Sequence, residues 1–128
     1  MRRIVYISTA DALSEEQIEA IVAGSARNNV KTEVSGFLLY NSRNFLQLIE
    51  GEHAKIGRLI GVIEADDRHD GLVRLIDEDI KTRSCADWAM CQIALHDDLV
   101  KRRDALLKIL PALDDATGQL VNNFALLN

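Results

Sequence analysis

The sequence predicts an α+β fold: a ferredoxin-like mixed five-stranded sheet with two crossover helices on one face and two C-terminal helices on the other. Three observations lead there. Segments of strand and helix character follow one another in the order strand, helix, strand, strand, helix, strand, strand. The strands are apolar on both faces, so one helical layer leaves a face uncovered. Beyond residue 95, two apolar stripes recur at helical spacing and supply the missing cover.

Residues 3–9 are β-branched and aromatic and run into the polar cluster Ser8-Thr9-Ala10-Asp11, which marks a strand and its end. Ser14-Glu15-Glu16-Gln17 is a capping box with its acidic side chains at the positive helix end. Ile18, Ile21 and Val22 continue that helix at helical spacing to about Asn29. Residues 34–40 and 45–50 are apolar runs joined by Asn41-Ser42-Arg43-Asn44, a polar loop that favours an antiparallel hairpin, and Gly51 closes the second run. Over residues 52–66, Ile56, Leu59, Ile60 and Ile63 form one helical stripe, ended by Asp66-Asp67-Arg68-His69. Residues 72–80 alternate imperfectly with charges, as an outer strand does, and residues 88–95 form a last strand carrying Met90 and Ile93. Leu99, Leu106, Leu107 and Leu110 make a helical stripe before Pro111; Leu113, Leu120, Val121, Phe124 and Leu127 make another, with Gly118 weakening its start. By side-chain alternation Ile4 and Tyr6 oppose Val5 and Ile7, and Phe45, Gln47 and Ile49 oppose Leu46 and Leu48.

Composition narrows the function classes. With 128 residues, 48% hydrophobic and 27% charged, the chain suits one globular domain. A net charge of −5 argues against a nucleic-acid partner, because that affinity comes mainly from Lys and Arg neutralising phosphates. Cys85 and Cys91 form no CxxC and have no nearby His pair, so no metal site and no disulfide framework is expected. No apolar run approaches the length of a membrane span, and a cytoplasmic location is expected.

Three polar residues interrupt apolar strands or close a helix: Tyr6, Asn29 and Gln47. Gln47 shares its face with Phe45 and Ile49, and a buried amide left unpaired there costs about 1–3 kcal/mol. Pairing with Tyr6 or the backbone, to fix strand register, satisfies it. So does convergence of Tyr6, Gln47 and Asn29 on a flat heteroaromatic ligand whose edge offers acceptors and an N–H. The residues alone leave both open.

Tyr6-Ile7-Ser8, Ser25-Ala26-Arg27-Asn28-Asn29, Val34-Ser35-Gly36-Phe37-Leu38-Leu39-Tyr40, Phe45-Leu46-Gln47-Leu48-Ile49-Glu50-Gly51, Asp66-Asp67-Arg68-His69 and Trp88-Ala89-Met90 follow one another in order. In that order and spacing they resemble the motifs of the BLUF family, sensors of blue light using FAD, over residues 3–95. The resemblance implies a non-covalently bound FAD, with FMN or riboflavin as possible substitutes, its ring lying between the crossover helices. Tyr6 and Gln47 are then the photochemical pair: electron and proton transfer from Tyr6, relayed through Gln47, rearranges the glutamine's hydrogen bonds and shifts absorption to the red. Asn29 bonds the same ring edge, with Asn28 alongside and Phe45 on the shared face. Arg68, beside Asp66, donates to the pyrimidine carbonyl, and His69 packs against the ring. Trp88 and Met90 match positions that communicate with the glutamine; core packing is compatible with that role. Two departures are visible. Cys85 stands where the family often has Phe, which is expected to loosen the strand carrying Trp88, and Ser35 replaces Thr before Gly36.

The expectation is therefore a photoreceptor and not an enzyme, with residues 1–95 as the flavin-binding core and 96–128 as a helical cap and output segment. The residues beyond 95 are too few for a cyclase or phosphodiesterase. Output must pass to a signalling partner or through a homo-oligomer, with no nucleic acid and no membrane. Two alternatives stand beside it: a small acyl phosphatase using Arg27 and Asn28, though without a glycine-rich anion loop, and a ligand-binding or scaffold domain that is not photoactive.

Overall fold

The computed structural model describes residues 1–10, 13–41, 43–85, 91–94 and 99–127. Its elements are β1 (Arg2–Thr9), α1 (Glu15–Thr32), β2 (Ser35–Tyr40), β3 (Asn44–Gly51), α2 (His53–Glu64), β4 (Asp70–Asp79), β5 (Cys91–Ala94), α3 (Leu99–Leu106), a 3-10 turn (Leu110–Ala112) and α4 (Asp115–Leu127). The strands lie in the order β4-β1-β3-β2-β5. β1 runs antiparallel to both β3 and β4, β2 runs antiparallel to β3, and β5 runs parallel to β2.

Alternation along the strands divides the core into two faces, as the sequence predicts. Ile4, Tyr6 and Ile49 pack with Ile56 and Ile60 of α2, and Leu38 and Phe45 pack with Ile18 of α1. On the opposite face, Val5, Phe37, Leu39, Leu46 and Leu48 meet Leu106, Ile109, Val121, Phe124 and Ala125 from the C-terminal helices. Burying an aliphatic side chain contributes roughly 1.5–3 kcal/mol. The C-terminal segment is thus a structural cover of the sheet.

Local chemistry sets the boundaries. Ser14 accepts from the Gln17 backbone N–H while the Gln17 side chain accepts from the Ser14 N–H, the capping box predicted for α1. The helix runs three residues past the expected Asn29 and ends at Glu33, whose left-handed backbone (φ 58°) lets its N–H reach the carbonyls of Asn29 and Val30. Gly36 is required by close approach: a Cβ there would stand 1.9 Å from the Leu48 carbonyl oxygen of β3.

One expectation needs correction. Leu107 was assigned to a buried stripe but is 61% exposed, and Ile109 is fully buried instead. α3 ends at Leu106, and the amides of Lys108 and Ile109 bond only three residues back, to Ala105 and Leu106, so the chain tightens ahead of Pro111, turns Ile109 inward and leaves Leu110 outside α3. The strand expected at 88–95 is described at Cys91–Ala94 only; Trp88 and Met90 lie outside the described residues.

Candidate functional site

A cavity of about 270 Å³ opens between α1 and α2 on the β1–β3 face. The sheet contributes Tyr6, Leu38, Phe45 and Gln47; α1 contributes Ala20, Ile21, Gly24, Ser25, Asn28 and Asn29; α2 contributes Leu59, Val62 and Ile63. Asp66, Arg68 and His69 follow from the connection to β4. All eight residues expected at the cofactor therefore line one cavity.

Tyr6 and Gln47 are direct cross-strand partners, and the phenol donates its hydrogen bond to Gln47 Oε1. Both side chains are buried. Burial, reinforced by the negative charge of Asp66, pushes the Tyr6 phenol far above its ordinary value, so it holds its proton across the whole physiological range. Gln47 Oε1 thus keeps a permanent donor. Asn29 is 2% exposed and is brought to the cavity by the last turns of α1, whereas Asn28, one residue earlier, is exposed at the cavity edge.

His69 is held by geometry. Its Nε2 lies 2.7 Å from the Ile63 carbonyl oxygen, which only accepts, so Nε2 carries a proton. Its Nδ1 is buried with no hydrogen-bond partner among the described residues. The ring lies 6.3 Å from the ring of Tyr6 and 6.3 Å from that of Phe45, the latter edge-on. Arg68, expected to donate to a ligand carbonyl, is paired within the protein: its Nε bonds both Asp66 oxygens, at 2.9 and 3.0 Å. That pairing, with a further bond from the Arg68 backbone N–H, holds the Asp66 carboxyl down to about 2. The Asp66 pairing uses Arg68 Nε and Nη2, and the N–H groups of Nη1 are not part of it, so they can address a ligand carbonyl while the pair stays intact.

Sequence reasoning missed the small residues of α1. Ala20 and Gly24, four apart, put a flat strip on the cavity wall, and a Cβ at Gly24 would meet only an Arg27 terminal nitrogen at 3.9 Å. The signal was present in the i, i+4 spacing of Ala20 and Gly24. Val62, 69% exposed on α2, shows the same thing from the other wall: an apolar side chain at the cavity mouth with little protein over it.

Fold and cavity together define a small α+β domain with a ligand-sized cavity between its two crossover helices. Residues 1–91 match the BLUF family, sensors of blue light using FAD, and the chain belongs to that family. The alpha subunit of the photoactivated adenylate cyclase of Euglena gracilis is 30% identical over 113 residues, 86% of this chain but 11% of the relative's length. Among solved structures, the dark state of the BLUF protein BlrB is 28% identical with a TM-score of 0.71, covering 93% of this chain and 82% of that one. Klebsiella pneumoniae BlrP1, solved with FMN and cyclic diGMP, has a TM-score of 0.84 at 24% identity, covering 97% of this chain and 34% of that one, and shows the shared fold. The family is one of blue-light sensors that use FAD.

The residues present fit a flavin. Its flat ring needs apolar walls, which Ile21, Leu59, Val62 and Ile63 supply, and its polar edge needs donors and acceptors, which the amides of Asn29 and Gln47 supply. The buried Nδ1 of His69, which has no partner among the described residues, is a further acceptor in the same wall.

Proposed function

We propose that this protein senses blue light through a flavin held in this cavity, with Tyr6 and Gln47 as the responding pair. The observation that carries the proposal is the hydrogen bond from the Tyr6 hydroxyl to Gln47 Oε1 at the cavity wall. A bound flavin supplies the chromophore and the electron acceptor. Tyr6 is the oxidisable group, and its proton has one described recipient, the amide oxygen of Gln47. An amide that gains a proton at oxygen, or turns about its last torsion, exchanges donor for acceptor toward the ligand, giving two distinguishable hydrogen-bond states. Asn29 orients the ligand edge from α1, and Asn28, Phe45, Asp66, Arg68 and His69 complete the binding set.

FAD is the proposed cofactor, with FMN or riboflavin as substitutes, because every group assigned here addresses the ring. Residues 1–95 act as the flavin-binding core and 96–128 as the output segment, with a signalling partner or self-association downstream. Absorption spectra before and after blue light test the proposal. The wild-type protein should purify with flavin and shift to the red; Tyr6→Phe should keep the flavin and lose the shift. A full shift in Gln47→Leu, or a protein that cannot be loaded with flavin, overturns it.

A further inference from the structure

A second buried polar cluster lies on the same two strands but on the opposite face. Arg3 and Glu50 are cross-strand partners, three residues along from Tyr6 and Gln47. Arg3 is 5% exposed and Glu50 fully buried, and two guanidinium nitrogens hold Glu50 Oε2 at 3.0 and 2.9 Å. The carboxylate also accepts the backbone N–H groups of Ser84, at 3.1 Å, and Cys85, at 2.8 Å. The third guanidinium nitrogen reaches Glu78 at 3.2 Å and Asp114 at 3.0 Å. Asp114 immediately precedes α4, and its other oxygen caps that helix by accepting the Thr117 N–H at 2.8 Å.

We infer that Arg3 is a tether that couples the strand pair bearing Tyr6 and Gln47 to the N-terminus of α4, with Glu50 coupling the same pair to the segment at Ser84 and Cys85. The inference rests on the proposed role of Tyr6 and Gln47 in the light response. A slip of β3 against β1 at Gln47 changes the Arg3–Glu50 alignment, because both pairs belong to one continuous ladder from Arg2↔Gly51 to Thr9↔Asn44. Glu50 cannot absorb that change alone, since both of its oxygens are engaged by groups from outside β3. The yielding partners are Glu78 and Asp114, about half exposed, and of these Asp114 belongs to a helix cap. Displacement at the cavity therefore leaves the sheet at the start of α4.

Asp114→Asn separates the tether from the cap. Asparagine caps a helix as well as aspartate does, but one carboxylate oxygen becomes an N–H₂ group, which cannot accept from Arg3. Amide NMR spectra of flavin-loaded protein, in the dark and under blue light, test the inference alongside the absorption spectrum of each sample. In the wild type, light should displace the amide signals of both Ser84–Cys85 and Asp115–Gly118. In Asp114→Asn the red shift and the Ser84–Cys85 displacement should persist while the displacement at Asp115–Gly118 is lost. Arg3→Lys, which keeps the charge but not the fork, should behave alike. A red shift in the wild type with α4 signals that ignore light, or an Asp114→Asn variant whose α4 still responds, overturns the tether and leaves the photochemistry standing. Absence of any red shift removes the photochemical proposal and the tether with it.

Discussion

Tyr6 faces Gln47 across β1 and β3, and Arg3 faces Glu50 three residues along the same ladder. The odd separation turns the two pairs to opposite faces. The first is neutral, joined by one described side-chain hydrogen bond, and borders a cavity. The second is ionic, engaged by several groups at once, and buried. A neutral amide beside open space can change partners at a cost of about one hydrogen bond, on the order of 1 kcal/mol. Breaking a buried ion pair costs about 3–5 kcal/mol. One pair is suited to switching and the other to holding.

The sharpest way to break both at once is at Gly36, which β3 needs on its other flank. Gly36→Ala forces a Cβ against the Leu48 carbonyl, and backbone cannot step aside as a side-chain tip can. We expect a loss of about 4–5 kcal/mol or more, most of a small domain's stability, read as collapse of the urea midpoint. Glu50→Gln tests the holding pair alone. Arg3 keeps Glu78 and Asp114, so the loss should fall near about 3 kcal/mol, with the red shift preserved in whatever fraction stays folded.

Acid titration probes the cavity rim. Asp66 sits at about 2 when folded against an ordinary value of about 3.9, so its contribution is complete above pH 4 and is lost as pH falls through 2. Because Arg68 is half exposed, the effect should stay under about 1 kcal/mol. Thermal melts of wild type and Asp66→Asn should differ at pH 5 and converge near pH 2. The smallest effect concerns the connection that brings Asn29 to the cavity. Glu33 holds a left-handed backbone that glycine adopts freely, so Glu33→Gly should raise stability by about 1 kcal/mol or less, as a small increase in Tm.

The two pairs differ also in how legible they were in the sequence. Strand alternation grouped Tyr6 with Ile4 and Gln47 with Phe45 and Ile49, and a glutamine inside an apolar run is conspicuous; that the two share a face was implied by the family motifs and follows from the β1–β3 register. Arg3 reads as an ordinary basic flank after Met1-Arg2, and Glu50 as the polar end of a strand, since nothing local shows that α4 and residues 84–85 close over them. Burial of a charge is a tertiary fact. The same limit explains the tail: periodicity found both C-terminal helices, but the chain tightens straight after Leu106 and puts Ile109 rather than Leu107 in the core. The cavity's polar residues were identified through the family motifs, whereas its small-residue wall at Ala20 and Gly24 needed the helix and sheet in place together.

β4 is the outermost strand of the described sheet on its side, ten residues long and largely exposed. An open edge of that length invites a neighbouring chain to add its own strand. Here it carries Asp70, Asp77, Glu78 and Asp79 against a single basic residue of its own, Arg74. Arg2, Arg74 and Arg3 already engage Asp77 and Glu78, so it is the remaining carboxylates, Asp70 and Asp79, that would meet their like if two such edges came together, and this rim is a poor template for an added strand.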